Sequence, residues 1–154
     1  MEQEDYVGAK PIYLKAVDIQ RSTLGSEDPQ YLSTRRDFAR VYAGLAEFND
    51  AETILLQVLT KQEEIYGKES NRIGDTLNAL GSLYEKMGDY NKAEKYHRRE
   101  LYNLEHSKNQ NLDGVATCYN NIGLCRLMLG DYAEAESMLS KSLHSSPTGF
   151  LVEG

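Results

Sequence analysis

The chain has 154 residues, 40% of them hydrophobic and 27% charged, with a net charge of −7. That apolar share is too high for a disordered chain, and no apolar run approaches the roughly 20 residues a membrane-spanning helix needs. With 24 acidic against 17 basic residues, the chain is also poorly matched to nucleic acid, whose binding rests on Lys and Arg at phosphates.

The start, Met1-Glu2-Gln3-Glu4-Asp5, is acidic, whereas a secretory signal opens on basic residues and an apolar stretch, so no export is expected. Few prolines (11, 29 and 147) and abundant Ala, Leu, Glu and Lys favour helix throughout. The first predicted helix covers 4–24 and stops at Gly25. Asp28-Pro29 then supplies an N-cap followed by proline at the first helical position, opening a helix over 30–45. Ala46 stands where later repeats carry a stop glycine. A helix over 48–66 stops at Gly67, and one over 70–87 stops at Gly88. Asp89 caps a helix over 90–107, which ends before Asn109, a residue that tolerates positive φ as Gly25 and Gly67 do. Helices over 112–129 and 132–145 follow, separated by Gly130 and the N-cap Asp131. Residues 147–154 read as a flexible C-terminal tail.

These elements repeat. At an offset of 42 residues, Ala9, Ala51, Ala93 and Ala135 share a column, as do Tyr6, Phe48, Tyr90 and Tyr132, and Asp5, Glu47, Asp89 and Asp131. Ala39, Gly81 and Gly123 form another column, where a missing side chain lets a paired helix approach. The aromatic column is expected to fill the wedge between units. Self-similarity at this period marks a solenoid whose units bury their apolar faces against neighbours. The expected fold is all-α, a right-handed superhelical solenoid of antiparallel helix pairs with about seven helices. It comprises a half repeat at 4–24 and repeats at 30–66, 70–107 and 112–145, so that residues 1–146 form one array.

The segments LNALGSLYEKMGDYNKAEKYHRRE, from Leu77, and YNNIGLCRLMLGDYAEAESMLSKSL, from Tyr119, resemble tetratricopeptide repeats. The longer unit, the Leu24-Gly25-Ser26-Glu27-Asp28-Pro29 connection and the YNNIG stretch are similar to kinesin light chain repeats. Glu100 and Ser142, where a small alanine is usual, and Arg126, where Tyr42 and Tyr84 set the pattern, depart from the family. The resemblance implies a concave groove lined by the first helix of each repeat, and a protein or peptide ligand. Carried over by column, the groove set is Arg36, Asn78 and Asn120, then Arg40, Ser82 and Leu124, with Asn121, Lys86 and Met128 beside them. Gly44 falls in the column of Lys86 and Met128. In kinesin-light-chain-like repeats the matching asparagines contact cargo peptides, and an amide can both donate to and accept from an extended backbone. The same amides could instead bridge neighbouring inner helices.

Arg36 and Arg40, four apart, could meet one acidic ligand group or form a solvated face paired with Asp37 or Asp75. Leu124, Leu127 and Met128 could anchor an apolar ligand group, pack against a further repeat, or receive the tail residues Phe150-Leu151-Val152. Cys118 and Cys125 are seven apart, with no CxxC pair and no His at ligand spacing, which fits a reducing, cytoplasmic setting. Both align with packing residues, as does His97 with Tyr13, Leu55 and Leu139. Nothing resembles a nucleophile elbow, a phosphate loop or paired catalytic carboxylates. No enzyme, cofactor or metal is expected. The function expected is a protein-interaction scaffold gripping an extended or helical peptide; the alternative is a self-assembling repeat segment whose ends or tail mediate homo-oligomerisation.

Overall fold

The computed structural model describes residues 3–146. Among them are seven α-helices: α1 (Gln3–Leu24), α2 (Pro29–Gly44), α3 (Phe48–Tyr66), α4 (Gly74–Lys86), α5 (Tyr90–Glu105), α6 (Leu112–Met128) and α7 (Tyr132–Ser145). One turn of 3₁₀ helix, Asn71–Ile73, leads into α4. The described residues contain no strand. The chain divides between residues 68 and 69 into two compact units. In the first, α2 packs against α1 and α3; in the second, α4 pairs with α5, α5 with α6 and α6 with α7. The expected all-α fold of helix pairs is thus present. The tail at 147–154 and its Phe150-Leu151-Val152 lie outside the described residues.

Local sequence explains the helix ends. Asp28 accepts from the amides of Gln30 and Tyr31 at 2.8 and 3.3 Å, with Pro29 inside the first turn. Asp89 accepts from the Lys92 amide at 3.1 Å and Asp131 from that of Glu134 at 3.3 Å. Each cap satisfies a helix-start amide that has no partner within the helix. Glu47, in the same column, makes no capping bond; it is drawn instead to Lys10 Nζ at 2.7 Å. Ser70 caps the 3₁₀ turn through the Arg72 amide, which is why the α-helix predicted from residue 70 begins at Gly74.

Two end expectations need correction. Asn109 is absent from the positive-φ residues, and α5 stops at Glu105 with His106 as C-cap at φ −93°. Ser107 Oγ, which accepts from the Asn109 amide and from Asn71 Nδ2, organises that longer loop instead. Ala46, in contrast, adopts φ +60°, matching Gly88 (+78°) and Gly130 (+82°) in its column. The left-handed conformation costs an L-residue about 1–2 kcal/mol, partly offset because alanine loses less chain entropy than glycine on folding. Ala46→Gly is therefore expected to stabilise the first unit by about 0.5–1 kcal/mol, read as a higher urea midpoint with an unchanged slope.

The cores are interlocked between consecutive helices. Tyr31, Leu32 and Val58 form one cluster, joined by Val17 and Ile54. Leu101, Leu104, Cys118, Ile122 and Met138 form another, joined by Val115 and Tyr119. The small-residue columns are buried as expected: Ala39, Ala51, Ala93 and Ala135 are all at most 2% exposed. The aromatic column behaves differently along the chain. A Cβ at Gly44 would collide with the Tyr6 ring, so Tyr6 lies on the glycine backbone, and Gly44 is a seat for an aromatic rather than part of an open face. Phe48 and Tyr90 are half-buried, but Tyr132 is 69% exposed. Its wedge role is not fulfilled because α7 packs on α6 and that packing leaves the Tyr132 ring uncovered.

Candidate interaction surface

The inner-helix residues picked out by the repeat fall on one stripe of each of α2, α4 and α6, at spacings of three or four residues. On α2, Arg36 is half-buried; its guanidinium donates to Ser33 Oγ at 3.2 Å and pairs with Asp37 at 3.6 Å. Arg40 is exposed. The two arginines therefore do not present a matched fork, and Arg36 follows the paired-face alternative with Asp37.

On α4, Asn78 and Ser82 are half-buried and Lys86 is exposed. The Asn78 amide donates to the Glu100 carboxylate of α5, which also accepts from the Cys118 thiol of α6. Burial raises the Glu100 carboxyl above the usual carboxylate range, and these two bonds partly offset the shift. Glu100, where the family carries a small residue, thus ties α4 and α6 to α5. The Asn78 amide serves that tie rather than a bridge between inner helices.

On α6, Thr117 returns its hydroxyl to the Asp113 carbonyl at 2.8 Å. Asn120 is exposed and Asn121 half-buried. Leu124, Leu127 and Met128 are 44, 43 and 59% exposed. The opposite face of α6, with Cys118, Ile122 and Cys125, is buried. This helix is consequently apolar on both sides, an arrangement that a solvent-facing helix avoids unless its outer stripe meets something.

The remaining departures have structural partners. Ser142 donates to the Ala116 carbonyl at 2.8 Å. Arg126 reaches Glu94 of α5 at 2.7 Å and Asp131 and Glu134 at 3.6 Å, while Glu134 also meets Arg98 at 2.6 Å. Both cysteines are free and buried, as expected for packing residues. Burial pushes the Cys125 thiol up to about 12, aided by Glu85, and raises the Cys118 thiol as well. Neither is a thiolate nucleophile at neutral pH.

His97 is fully buried, as expected of a packing histidine, but it is not merely packed. Its Nε2 lies 2.9 Å from Glu85 Oε1, toward which the Cys125 thiol also points at 3.7 Å. Local spacing could not reveal this group, since its members are 12 and 40 residues apart. A second feature without a sequence signal is a cleft of about 400 Å³ in the first unit, walled by Arg21, Arg35 and Lys61 over Tyr31 and Leu32. Arg35 is held there by Gln57 at 2.6 Å. No helix among the described residues is long and apolar enough to cross a membrane.

Comparison with known proteins agrees with this architecture. BtubC (BKLC) from P. vanneervenii superposes with a TM-score of 0.82 at 22% identity, over 92% of this chain and 57% of that one. The chain thus spans less than two thirds of BtubC. A Podosopora anserina protein assigned as a kinesin light chain, with nearly identical TPR-like repeats, gives a TM-score of 0.76 at 18% identity, over 97% of this chain and 70% of that one. A single-substitution form of the same protein gives 0.77 at 19%, over 92% of this chain and 68% of that one. At these identities the likeness is one of fold. A search of the curated proteins gives no match. The tetratricopeptide repeat model matches residues 1–64, 45–106 and 72–144. The chain belongs to the tetratricopeptide repeat family, a fold that generally mediates protein–protein interaction.

Proposed function

We propose that the chain is a protein-interaction module that grips an extended or helical peptide along the inner helices of its second unit, α4 and α6. The observation that carries this reading is the α6 stripe, where Asn120 is exposed beside three uncovered apolar side chains, Leu124, Leu127 and Met128. Apolar groups at this spacing suit ligand side chains, and the amides of Asn120 and Asn121 suit a ligand backbone. On α4, Ser82 and Lys86 extend the polar contacts, with Asn78 contributing whatever its bond to Glu100 leaves available. In the first unit, taken by itself, Arg40 on α2 is exposed while Arg36 pairs with Asp37, so Arg40 is the better placed of the two arginines for an acidic group.

The test is a pull-down with mass spectrometry comparing wild type with Asn120→Ala/Leu124→Glu/Met128→Glu. The substituted side chains are exposed, so helicity and melting should not change. Partners enriched on wild type should fall to background on the variant; partners retained undiminished would reject the α6 stripe as the site. A second reading, homo-oligomerisation, is favoured by Tyr132 and Leu143 on α7, 69 and 71% exposed. Sedimentation velocity showing a monomer at high concentration rejects it.

A further inference from the structure

Three columns of the repeat carry apolar or aromatic side chains at every position but one. His97 shares a column with Tyr13, Leu55 and Leu139; Cys125 with Val41 and Leu83; Glu85 with Ala43 and Leu127. The second unit brings these three departures to a single point between α4, α5 and α6. One ligand-capable atom from each lies within 4.8 Å of the other two. Random surface variation would scatter such exceptions, whereas these meet in the interior, where polar groups are costly unless they are paired.

We propose that Glu85, His97 and Cys125 bind a borderline-soft divalent cation of the Zn²⁺ class, with a fourth coordination position open toward solvent. A thiolate, an imidazole and a carboxylate are ligands that zinc holds at about 2.0–2.3 Å, so tetrahedral ligation separates them by about 3.3–3.8 Å. Glu85 Oε1 stands 2.9 Å from His97 Nε2 and 3.7 Å from Cys125 Sγ. The three ligand atoms lie within 4.8 Å of one another, so modest side-chain movements would bring them to ligating separation. His97 is 0% exposed and Cys125 1%, while Glu85 reaches the surface at 34%. Glu85 therefore gives the group one edge at the surface, where the proposed fourth position would lie. Thiolate and imidazole ligation distinguishes this class from Mg²⁺ and Ca²⁺, which take oxygen.

The unpaired atoms around the histidine support the same occupant. With its hydrogen on Nε2, the neutral ring serves Glu85 but leaves Nδ1 buried without a partner; Glu100 Oε2, one turn along α5, is also buried and unpaired. A cation on Nε2 places the ring hydrogen on Nδ1, and the unpaired Glu100 carboxylate one turn along α5 would have to move toward it to accept it. Carboxylate, imidazole and metal in that order are the arrangement that fixes most ligating histidines. The ring is already positioned, because a Cβ at Gly81 would strike it. Binding releases the Cys125 thiol proton to solvent, forms one bond each from sulfur, nitrogen and oxygen to the metal, and changes no oxidation state. The bound ion would join α4, α5 and α6 at one point.

The experiment is titration of the reduced, chelator-treated full chain with Co²⁺ and then Zn²⁺. One equivalent of Co²⁺ should bind with thiolate-to-cobalt charge-transfer absorption, be displaced by Zn²⁺, and raise the melting temperature. Cys125→Val and His97→Leu, residues found at the matching positions 41 and 55, should remove that absorption while keeping the helical circular dichroism. Glu85→Gln, at the surface end of the site, provides a variant whose folding is not at issue and should weaken binding about tenfold or more. Glu100→Gln should weaken it by about 10- to 100-fold, and Cys118→Ala should leave the absorption intact. Absence of charge-transfer absorption in wild type at millimolar Co²⁺, or its survival in Cys125→Val, overturns the assignment.

Discussion

Gly123→Leu is expected to destabilise the second unit by about 3 kcal/mol. Gly123 is buried on α6, and a Cβ built there would lie 2.8 Å from Leu139 Cγ, 2.9 Å from its Cδ2 and 3.3 Å from the Ala135 carbonyl oxygen. Leu139 could swing aside for one methyl group. The Ala135 carbonyl cannot, because it is part of the α7 backbone and is fixed by the helix. A leucine adds three further carbons beyond that Cβ, so α6 and α7 must separate or the new side chain must take a strained rotamer. Gly123→Ala is the informative control. Its clash is mostly with the Leu139 side chain, and alanine gains about 1 kcal/mol over glycine in helix propensity, so its net effect should stay within about 1 kcal/mol. Ala39, in the same column and 1% exposed, shows that a methyl group can be housed at this register. Urea unfolding of both variants decides the matter, and a leucine variant as stable as wild type would contradict the close helix approach.

That approach was legible without coordinates because it belongs to the period. Small residues recurring at 39, 81 and 123 opposite those at 51, 93 and 135 have one cheap explanation, two helices in contact, and the structure buries them accordingly. Helix ends were legible for the same reason, since aspartate caps and stop glycines act on their own few residues. Side-chain bonds between helices were not. Asn78 meeting Glu100, Arg126 meeting Glu94 and Cys125 meeting Glu85 depend on rotamers and on which faces oppose, and local spacing carries neither. The columns nevertheless held a signal that a search for local ligand spacing misses. Exceptions in facing columns, such as Glu85, His97 and Cys125, identify one another only when the helices are stacked. Ala46 is the converse case: the glycine column marked its place, but only the backbone shows that alanine accepts the left-handed φ of +60°.

Arg126→Ala should cost the second unit about 2–3 kcal/mol. In its column stand Tyr42 and Tyr84, and the reason for the change lies in the partner column, which holds Lys10, Glu52 and Glu94. At the first position the cation is on the outer helix, with Lys10 Nζ 4.8 Å from the centre of the Tyr42 ring and paired with Glu47. At the last, the outer helix carries Glu94, 5% exposed, and the cation has moved to the inner helix as Arg126. A carboxylate so enclosed needs compensation, which comes from Arg126 at 2.7 Å and from Arg98 one turn along α5. Removing one partner of a buried pair costs about 3–5 kcal/mol when nothing remains; Arg98 remains, which lowers the expected figure. Arg126→Tyr is the sharper test. It restores the residue of the earlier repeats, yet a phenol cannot neutralise Glu94 or reach Asp131 and Glu134 together, so its loss should match that of alanine within about 1 kcal/mol. Replacing Glu94 by glutamine removes the charge that needs Arg126, so the double change Arg126→Tyr/Glu94→Gln should recover about 1–2 kcal/mol relative to additivity. Added salt should alter these differences little, because Glu94 is shielded from solvent. If Arg126→Tyr alone matches wild type in urea, the ion cluster contributes no stability and the arginine needs another explanation.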